Sequence, residues 1–446
     1  MKYLNLSRRN FLKKSSFSFL GAGILGNKTL INTGSPDDDS PPKIKEYRTL
    51  GRTGFKVSDI GCGPVEIPHE NMLKYLIRSG INLIDTSAFY ENGNNERMVG
   101  KAIKDFKRES LFINTKIIVR KDDTKENIVE KVRTSLDRLQ TSYIDGLMLG
   151  IVNSSEEVKN EKFHEAMEQL KQEGRGKYCG VACHGSSWTE DYEESMEEVL
   201  FSALDDSRYD LLLLVYNFVQ KEMGENILKV CRTKNVGTLA MKTEPFGGSF
   251  LEVLEHVEEV EREGTELNEY WKTLYNKYLD RQELARPFLE KYSLQNDQAI
   301  RDASIRFILD NPDMNSVLIT FRDYQSAEEY INLSGSRLTE TDQAIMNFYL
   351  ENFAALYCRH ACGICESACP HHIPVNTIMR YNHYFMAQHR QKYGMQMYNE
   401  LKGGTPDNLC ATCQGYCEKA CPYDVHIRGL LTMAHRNLSL NKIKYT

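Results

Sequence analysis

The sequence predicts an α/β fold class, with a closed barrel of eight parallel strands followed by a small cysteine-rich region. Two observations lead to this prediction. Between Ile60 and Ile319, short apolar runs alternate with amphipathic segments of helical length. Eight of the twelve cysteines then lie between Cys358 and Cys421. The overall composition, 41% hydrophobic and 26% charged, is typical of a globular protein.

The first 34 residues combine an arginine pair with a short apolar run. Arg8 and Arg9 lie ahead of the stretch from Phe17 to Leu25, a pattern that resembles a twin-arginine export signal. That route carries folded proteins and would make the twin-arginine export machinery a partner of this chain. The alternative is a basic tail with a chance arginine pair. We predict a signal over residues 1–34, a periplasmic or membrane-associated location, and a polar linker over residues 35–45.

Eight candidate strands define the barrel, which we place over residues 46–340. They are Ile60–Cys62, Asn82–Thr86, Leu111–Thr115, Ile144–Leu149, Tyr178–Cys183, Leu211–Tyr216, Thr238–Met241 and Ser316–Ile319. Helical periodicity marks the connections, as in Lys125–Leu139 and Lys162–Gln172. Eight strand–helix units favour a parallel (β/α)8, or TIM, barrel over an open sheet. Gly51 and Gly54, before the first strand, indicate a β-hairpin at the floor of the barrel.

The interval between the seventh and eighth strands is unusually long, and residues 245–297 are predicted to form a helical insertion. Its charged stretch Leu251–Glu290 has helical periodicity and no glycine after Gly264. One interpretation is a solvated helical hairpin. The other is a lid or a docking surface for the cysteine-rich region, because the insertion grows from the C-terminal face of the barrel.

The tail, residues 341–446, holds its cysteines in two sets that each end in Cys-Pro. The sets are Cys358, Cys362, Cys365 and Cys369, and then Cys410, Cys413, Cys417 and Cys421. Short gaps before a Cys-Pro suit [4Fe-4S] clusters, in which the fourth cysteine of a run can cross to the other cluster. The alternatives are zinc, which usually takes two separated pairs, and disulfides, which belong to small secreted scaffolds. The pattern resembles bacterial two-cluster ferredoxins, so we predict a small α-helical, ferredoxin-like domain with two [4Fe-4S] clusters.

Three polar residues lie at the C-terminal face of the barrel, where barrel enzymes place their chemistry. Asp85 ends one strand and is followed by Tyr90, and Lys116 ends the next strand. A free tyrosine, with a pKa of about 10, is a poor proton donor at neutral pH. A nearby Lys116 ammonium would lower that pKa, and Asp85 would hold Lys116 charged. We predict Tyr90 as general acid, tuned by Lys116, which Asp85 orients; the alternative is a structural ion pair.

These residues, together with the stretch from Tyr47 to Gly54, resemble the aldo-keto reductase family over about residues 46–340. A cluster-bearing tail is also found in one branch of that family. The resemblance implies carbonyl reduction with NADP(H) as a cofactor. It also implies three cofactor-binding residues, which are Asn217, Arg322 and Glu329.

The sequence departs from the family pattern in the part that binds the nicotinamide. Gly150 stands where the family has a catalytic histidine, and Cys183-His184 where it has Ser-Asn; Leu213 and Tyr330 replace a glutamine and an asparagine. His184 lies at a strand end on the same face as Tyr90. We therefore hypothesise that it replaces the missing histidine in holding a carbonyl oxygen, and the alternative is a loop histidine without that role.

The motifs together predict an exported oxidoreductase that interconverts a carbonyl and an alcohol on a small-molecule substrate. Electrons would pass through two clusters, which requires an electron-transfer partner. One alternative is an electron-transfer or binding protein whose barrel has lost nicotinamide chemistry. Another is a lyase or isomerase that uses Tyr90 and Lys116 for proton transfer without net redox change. The net charge of −6 gives no reason to expect nucleic acid as a partner.

Overall fold

The structure is a computed structural model. It describes residues 42–184, 194–244, 262, 269–277, 280, 298–360, 362–386, 388, 390–401, 410 and 413–439. The predicted signal, most of the predicted linker and most of the predicted insertion at 245–297 lie outside the described residues.

Eight parallel strands close into a barrel, in the spatial order β10-β3-β4-β5-β6-β7-β8-β9. The strands are β3 Ile60–Cys62, β4 Leu83–Asp85, β5 Phe112–Ile117, β6 Ile144–Leu149, β7 Gly176–Ala182, β8 Leu211–Val215, β9 Gly237–Met241 and β10 Ser316–Ile319. Every residue of β5 and β6 is buried, as expected for strands covered by helices on one side and packed side chains on the other. The predicted (β/α)8 barrel is confirmed.

Helices follow the strands and form the outer layer of the barrel. They are α1 Glu70–Arg78, α2 Asn94–Ile103, α3 Lys125–Leu139, α4 Ser155–Val158, α5 Glu161–Gln172, α6 Met196–Asp205, α7 Lys221–Lys234, α8 Gln298–Asp310, α9 Tyr324–Asn332 and α10 Glu340–Phe353. The first turn of α3 shows how the sequence fixes the residue at which a helix begins. Thr124 accepts a hydrogen bond from the Asn127 amide, and the Asn127 side chain accepts one from the Thr124 amide in return.

The predicted hairpin lies at the N-terminal end of the barrel. Strands β1 Tyr47–Thr49 and β2 Lys56–Ser58 pair in antiparallel register. Gly51 has a φ of +47°, and a Cβ there would lie 2.3 Å from the Gly237 amide nitrogen at the start of β9. Only glycine therefore allows the turn to approach the barrel floor this closely.

The chain after the barrel is helical and divides into two packing environments. Helix α10 packs against α8, and Asp342 of α10 lies 2.8 Å from Arg306 of α8. The later helices, α11 Val375–Met386, α12 Gln391–Asn399, α13 Tyr416–Ala420 and α14 Ile427–Leu438, share an apolar core of their own. None of the helices in the described ranges is long and apolar enough to span a membrane.

The described part of the insertion packs on this second core. Residues 269–277 are helical, and Trp271 and Leu274 are buried among the tail residues. The Tyr270 hydroxyl donates to Glu418 at 2.9 Å and accepts from the Gly429 amide at 2.9 Å. Of the two interpretations of the insertion, these contacts favour the docking surface.

Candidate active site

The buried ion pair between Lys116 and Asp85 lies at the C-terminal mouth of the barrel. Lys116 donates to the Asp85 carboxylate and to the Thr86 carbonyl at 2.9 Å, and Asn114 donates to the other carboxylate oxygen. Lys116 is fully buried and Asp85 is 3% exposed. Burial alone would lower the pKa of Lys116, but the charge of Asp85 and the adjacent Tyr90 raise it above its ordinary value. These effects favour a charged Lys116.

Tyr90 lies directly after β4, beside this pair. The Lys116 ammonium nitrogen is 5.2 Å from the centre of the Tyr90 ring. Burial raises the pKa of Tyr90, and the opposing effect of Lys116 does not outweigh it. The expectation that Lys116 would bring the pKa of Tyr90 below its ordinary value is therefore wrong for the net shift, although Lys116 acts in the expected direction.

His184 lies at the same mouth, at the end of β7. Its Nδ1 is 3.4 Å from the hydroxyl of Tyr384, which belongs to α11 of the tail. Burial lowers the pKa of His184 well below its ordinary value, and Lys242, Arg380, Lys116 and Arg390 lower it further. A neutral imidazole at this position is able to donate or accept a hydrogen bond without carrying charge.

Gly150 occupies the position where the family pattern has a histidine. A Cβ there would lie 3.1 Å from the Ile117 carbonyl oxygen and 3.3 Å from the Phe89 ring. Because a larger side chain would need the backbone or the ring to move, the structure has no room for a histidine at this point in its present packing.

The tail covers the mouth of the barrel, which the sequence did not predict. Tyr384 and Arg390 are both close enough to Tyr90 to shift its pKa, Tyr384 raising it and Arg390 lowering it, after the larger effects of burial, Lys116 and Asp85. The Gln220 side chain, after β8, donates to the carbonyl of His360 in the tail. The one available signal in the sequence was the density of basic and aromatic residues between 379 and 393.

The three residues predicted to bind the cofactor are engaged by other protein groups. Asn217 donates to the Lys242 carbonyl at 3.0 Å and to the Tyr357 hydroxyl at 3.1 Å, while its own carbonyl accepts from two backbone amides. Arg322 donates to Glu66 at 3.1 Å and to the Gln388 carbonyl of the tail at 3.0 Å. Glu329 pairs with Arg301 at 2.6 Å.

The neighbouring Tyr330 is also engaged. Its hydroxyl donates to Glu244 at 2.7 Å, and Arg301 lies 5.1 Å from the centre of its ring. The described residues therefore do not present a free nicotinamide-binding set in this arrangement, and their predicted role stays a prediction.

The eight tail cysteines form two groups that exchange their last members. Burial raises the pKa of Cys358, and the nearby Cys365, Cys362 and Cys421 raise it further. The same four cysteines, together with other residues, line one pocket of the tail. Cys421 therefore lies with the first set in space, although it belongs to the second set in sequence.

The second group is built in the same way. Burial raises the pKa of Cys410 to about 12, and Cys417, Cys369 and Cys413 contribute to the shift. Cys369 thus joins the second set. In the described part of the chain, no three His, Cys, Asp or Glu side chains converge on a point as ligands of one metal ion would.

The fold and the mouth together define the class of protein as a (β/α)8 barrel with a buried Lys116–Asp85 pair beside Tyr90. The model of the aldo/keto reductase family matches residues 68–348. Since this match spans well over half of the sequence, the chain belongs to the aldo/keto reductase family.

Individual proteins are similar to this chain over different lengths. The chain is 28% identical over 338 residues to aldo-keto reductase YhdN of Bacillus subtilis, covering 69% of this chain and 94% of that protein. It is 33% identical over 153 residues to L-galactose dehydrogenase of Arabidopsis thaliana, covering 30% of this chain and only 48% of that protein. Aldo-keto reductase AKR11C1 of Bacillus halodurans is a similar solved structure, with 21% identity, a TM-score of 0.49 and coverage of 72% of this chain and 99% of that one.

Proposed function

We propose that this oxidoreductase interconverts a carbonyl group and an alcohol at the barrel mouth, with Tyr90 as the proton donor. The observation that carries the proposal is the buried Lys116–Asp85 pair beside Tyr90. Lys116 keeps its charge because Asp85 compensates it, and this charge favours negative character on the Tyr90 oxygen as the proton leaves.

Two other features of the mouth support this chemistry. The lowered pKa of His184 favours a neutral imidazole, which would be able to hydrogen-bond a carbonyl oxygen and so fix the substrate relative to Tyr90. Tyr384 of helix α11 and Arg390 lie close to Tyr90, and Tyr384 also contacts His184, so these side chains would help to keep water away from the reacting group. Carbonyl reduction takes up two electrons and two protons, and Tyr90 supplies the proton that reaches the carbonyl oxygen.

The tail would hold two [4Fe-4S] clusters, which supply one-electron transfer when bound. Cys358, Cys362, Cys365 and Cys421 line one pocket of the tail, and this grouping supports the proposal that their four thiolates bind one cluster. The remaining cysteines, Cys369, Cys410, Cys413 and Cys417, are the ligands proposed for the second cluster. A separate electron-transfer partner would deliver or remove the electrons.

NADP(H) is the cofactor that the family resemblance suggests. Asn217, Arg322 and Glu329 already have protein partners, so binding would require them to exchange these contacts. Fluorescence titration with NADPH and NADH tests the point directly. Saturable quenching with either nucleotide would support binding of a nicotinamide cofactor. Its absence would leave the proposed clusters as the route by which electrons reach the barrel mouth.

The test of the main proposal is a Tyr90→Phe variant of the cluster-containing protein. We expect kcat for carbonyl reduction to fall by about 100- to 10,000-fold, with NADPH or an artificial electron donor, because general acid catalysis is lost. Tyr324→Phe, at an exposed tyrosine of α9, is the matched control and should keep full activity. Retention of carbonyl reduction by Tyr90→Phe would refute the assigned role of Tyr90.

The engaged cofactor residues favour a second candidate, an electron-transfer or binding protein without hydride chemistry at its barrel. This candidate predicts that the wild-type protein shows no carbonyl–alcohol activity with any donor while its tail is still reduced and oxidised. A lyase or isomerase would instead convert its substrate into a product of the same oxidation level. Product analysis separates the three cases.

Sugars are the substrate class proposed for first trials. A relative that matches part of the chain is an L-galactose dehydrogenase. Sugar hydroxyls would suit the polar groups at the mouth, and paired assays of aldose reduction and sugar-lactone formation would test the class.

Export by the twin-arginine route is also part of the proposal. It rests on Arg8 and Arg9 ahead of the apolar stretch Phe17–Leu25. Replacing both arginines by lysine should retain the protein inside the cell, as measured by cell fractionation. Unchanged export of this double variant would count against the route, and Lys13→Arg is the matched control.

A further inference from the structure

Three cationic side chains surround one tyrosine ring at the barrel mouth. The distances to the centre of the Tyr384 ring are 5.6 Å from Lys242, 5.8 Å from Arg380 and 5.5 Å from Arg390. Lys242 follows β9 of the barrel, whereas both arginines come from the tail. The three basic side chains therefore come together only where the barrel and the tail meet.

Lys242 has no acidic or hydrogen-bonding partner for its ammonium group within the described residues. The groups that act on the Lys242 pKa besides burial are Arg380 and Cys183, and neither is a carboxylate. Lys242 also adopts a φ of +53°, a left-handed conformation that is unfavourable for a lysine. A buried lysine amino group without a hydrogen-bond partner therefore lies inside the mouth.

An unpaired cation in a buried site is unfavourable unless an anion joins it. Burial lowers the pKa of Lys242 well below its ordinary value, and Arg380 lowers it further. Arg380 is itself only 1% exposed. Positive charges gathered away from water, without matching carboxylates on Lys242, attract an anionic group strongly because the surroundings screen them poorly.

We propose that Lys242, Arg380 and Arg390 bind the anionic group, a carboxylate or a phosphate, of the carbonyl substrate. This inference rests on the proposed function, because the anion belongs to a substrate only if the barrel mouth acts on carbonyl compounds. Arg390 and Tyr384 also shift the pKa of Tyr90, so an anion bound by the three basic side chains would lie beside the catalytic tyrosine. His184, which contacts Tyr384 at 3.4 Å, lies on the same side.

The geometry also explains why the tail covers the barrel. Neither the barrel nor the tail carries all three basic side chains, so the anion would be recognised only when the two are packed together. Small acids and phosphorylated sugars carry such a group, whereas the corresponding neutral sugars do not. The proposal therefore assigns discrimination between charged and neutral carbonyl compounds to the interface of barrel and tail.

The test is thermal unfolding of the full, cluster-containing protein in inorganic phosphate and in acetate, against chloride at matched ionic strength. A ligand that binds only the folded state raises the melting temperature in proportion to its affinity. We expect at least one of the two anions to stabilise the wild type. Lys242→Met should weaken the apparent affinity by about 10- to 100-fold, as expected for loss of a charged hydrogen bond.

Lys229→Met is the matched control, because Lys229 is an exposed lysine of α7, and it should respond as the wild type does. If Lys242→Met does not fold, Arg390→Gln gives the same readout from the tail side. A purely structural role of the cations would lower the melting temperature equally in all salts and would overturn the proposal. Equal anion affinity in wild type and Lys242→Met would overturn it as well.

NADPH titration separates the substrate from the cofactor as the source of the anion. If Lys242→Met lost NADPH affinity by the same factor as phosphate affinity, the site would belong to the cofactor and the proposal would be wrong. The failure of the proposed function is distinguishable, because anion binding is measured without turnover. Carbonyl turnover without anion-dependent stabilisation would count against the site alone.

Discussion

At the scale of single residues, burial decides the acid–base behaviour of Tyr90. Lys116 and Arg390 favour the ionised form, while burial, Asp85 and Tyr384 favour the protonated form, and the net effect raises the pKa. Tyr90 therefore holds its proton throughout the neutral range. A proton donor that is fully protonated in its resting state is suited to the reduction of a carbonyl.

A pH profile of the reductive reaction tests this arrangement. A general acid is active below its pKa, and the pKa of Tyr90 lies above its ordinary value of 10.0. We expect kcat for reduction to be independent of pH from about 7 to about 10 and to fall only at higher pH. The measurement is kcat across this range, with saturating substrate. A decline centred near pH 8 would show that another group is the proton donor.

The role of His184 is tested by replacing it with alanine. If its imidazole holds the carbonyl oxygen, His184→Ala should lower kcat by about 100- to 1,000-fold, the loss typical of one donor to a developing oxyanion. The exposed His69, which caps α1, gives the control His69→Ala. Steady-state kinetics of both variants provide the comparison. Turnover unchanged in His184→Ala would remove His184 from the catalytic residues.

At the scale of elements, the packing of segment 269–277 on α14 depends on one tyrosine. The Tyr270 hydroxyl links Glu418 and the Gly429 amide, and Arg428 lies 4.1 Å from the centre of the Tyr270 ring. Gly429 is needed for this approach, because a Cβ there would lie 3.0 Å from Leu274 and 3.1 Å from the Tyr270 hydroxyl. The insertion therefore supports the helices that carry the cysteines.

Removing the Tyr270 hydroxyl should weaken this contact. Tyr270→Phe removes one donor to the half-buried Glu418 carboxylate, which keeps Arg428, and leaves the Gly429 amide without its acceptor. We expect a loss of about 1 to 3 kcal/mol in the free energy of unfolding of the tail. Chemical denaturation followed by the visible absorbance of the tail measures it. Tyr416→Phe, at a 43% exposed tyrosine of α13, should change stability little. Equal stability of the two variants would contradict the structural role of Tyr270.

Most elements were predictable because their signals are local. The periodicity of apolar residues placed all eight barrel strands, and the bounds of β3, β6 and β10 agree with the structure. The ends of β5 and β7 moved by a few residues, since pairing with neighbouring strands extends a strand beyond its apolar run. Packing of the tail on the barrel could not be predicted, because no periodicity along the chain records which surfaces meet.

At the scale of the whole molecule, the two cysteine sets exchange their last members. Cys421 lies with Cys358, Cys362 and Cys365, and Cys369 lies with Cys410 and Cys417. This exchange ties residues 358–369 to residues 410–421. Binding of a cluster to either group would therefore also hold the tail together.

The exchange makes a specific prediction for cysteine variants. Cys358→Ala and Cys421→Ala should lose the same one of the two clusters, and Cys410→Ala and Cys369→Ala should lose the other. We expect about half of the iron and labile sulfide to be lost in each single variant, with two distinct electron paramagnetic resonance spectra among the four. Cys231→Ala, at a buried cysteine of α7, is the control and should keep all of the iron. A Cys421→Ala spectrum that matches Cys410→Ala would contradict the exchange.

The sequence by itself determined the barrel, the position of Asp85, Tyr90 and Lys116 at its C-terminal mouth, and the two runs of cysteines. Each of these follows from spacing over a few residues or from the fixed geometry of parallel strands. The tertiary structure alone decided that Tyr384 meets His184, 200 positions away in the chain, and that Lys242 joins two tail arginines. It also decided the direction of the Tyr90 pKa shift, since burial depends on everything packed around a side chain and on no single neighbour in sequence.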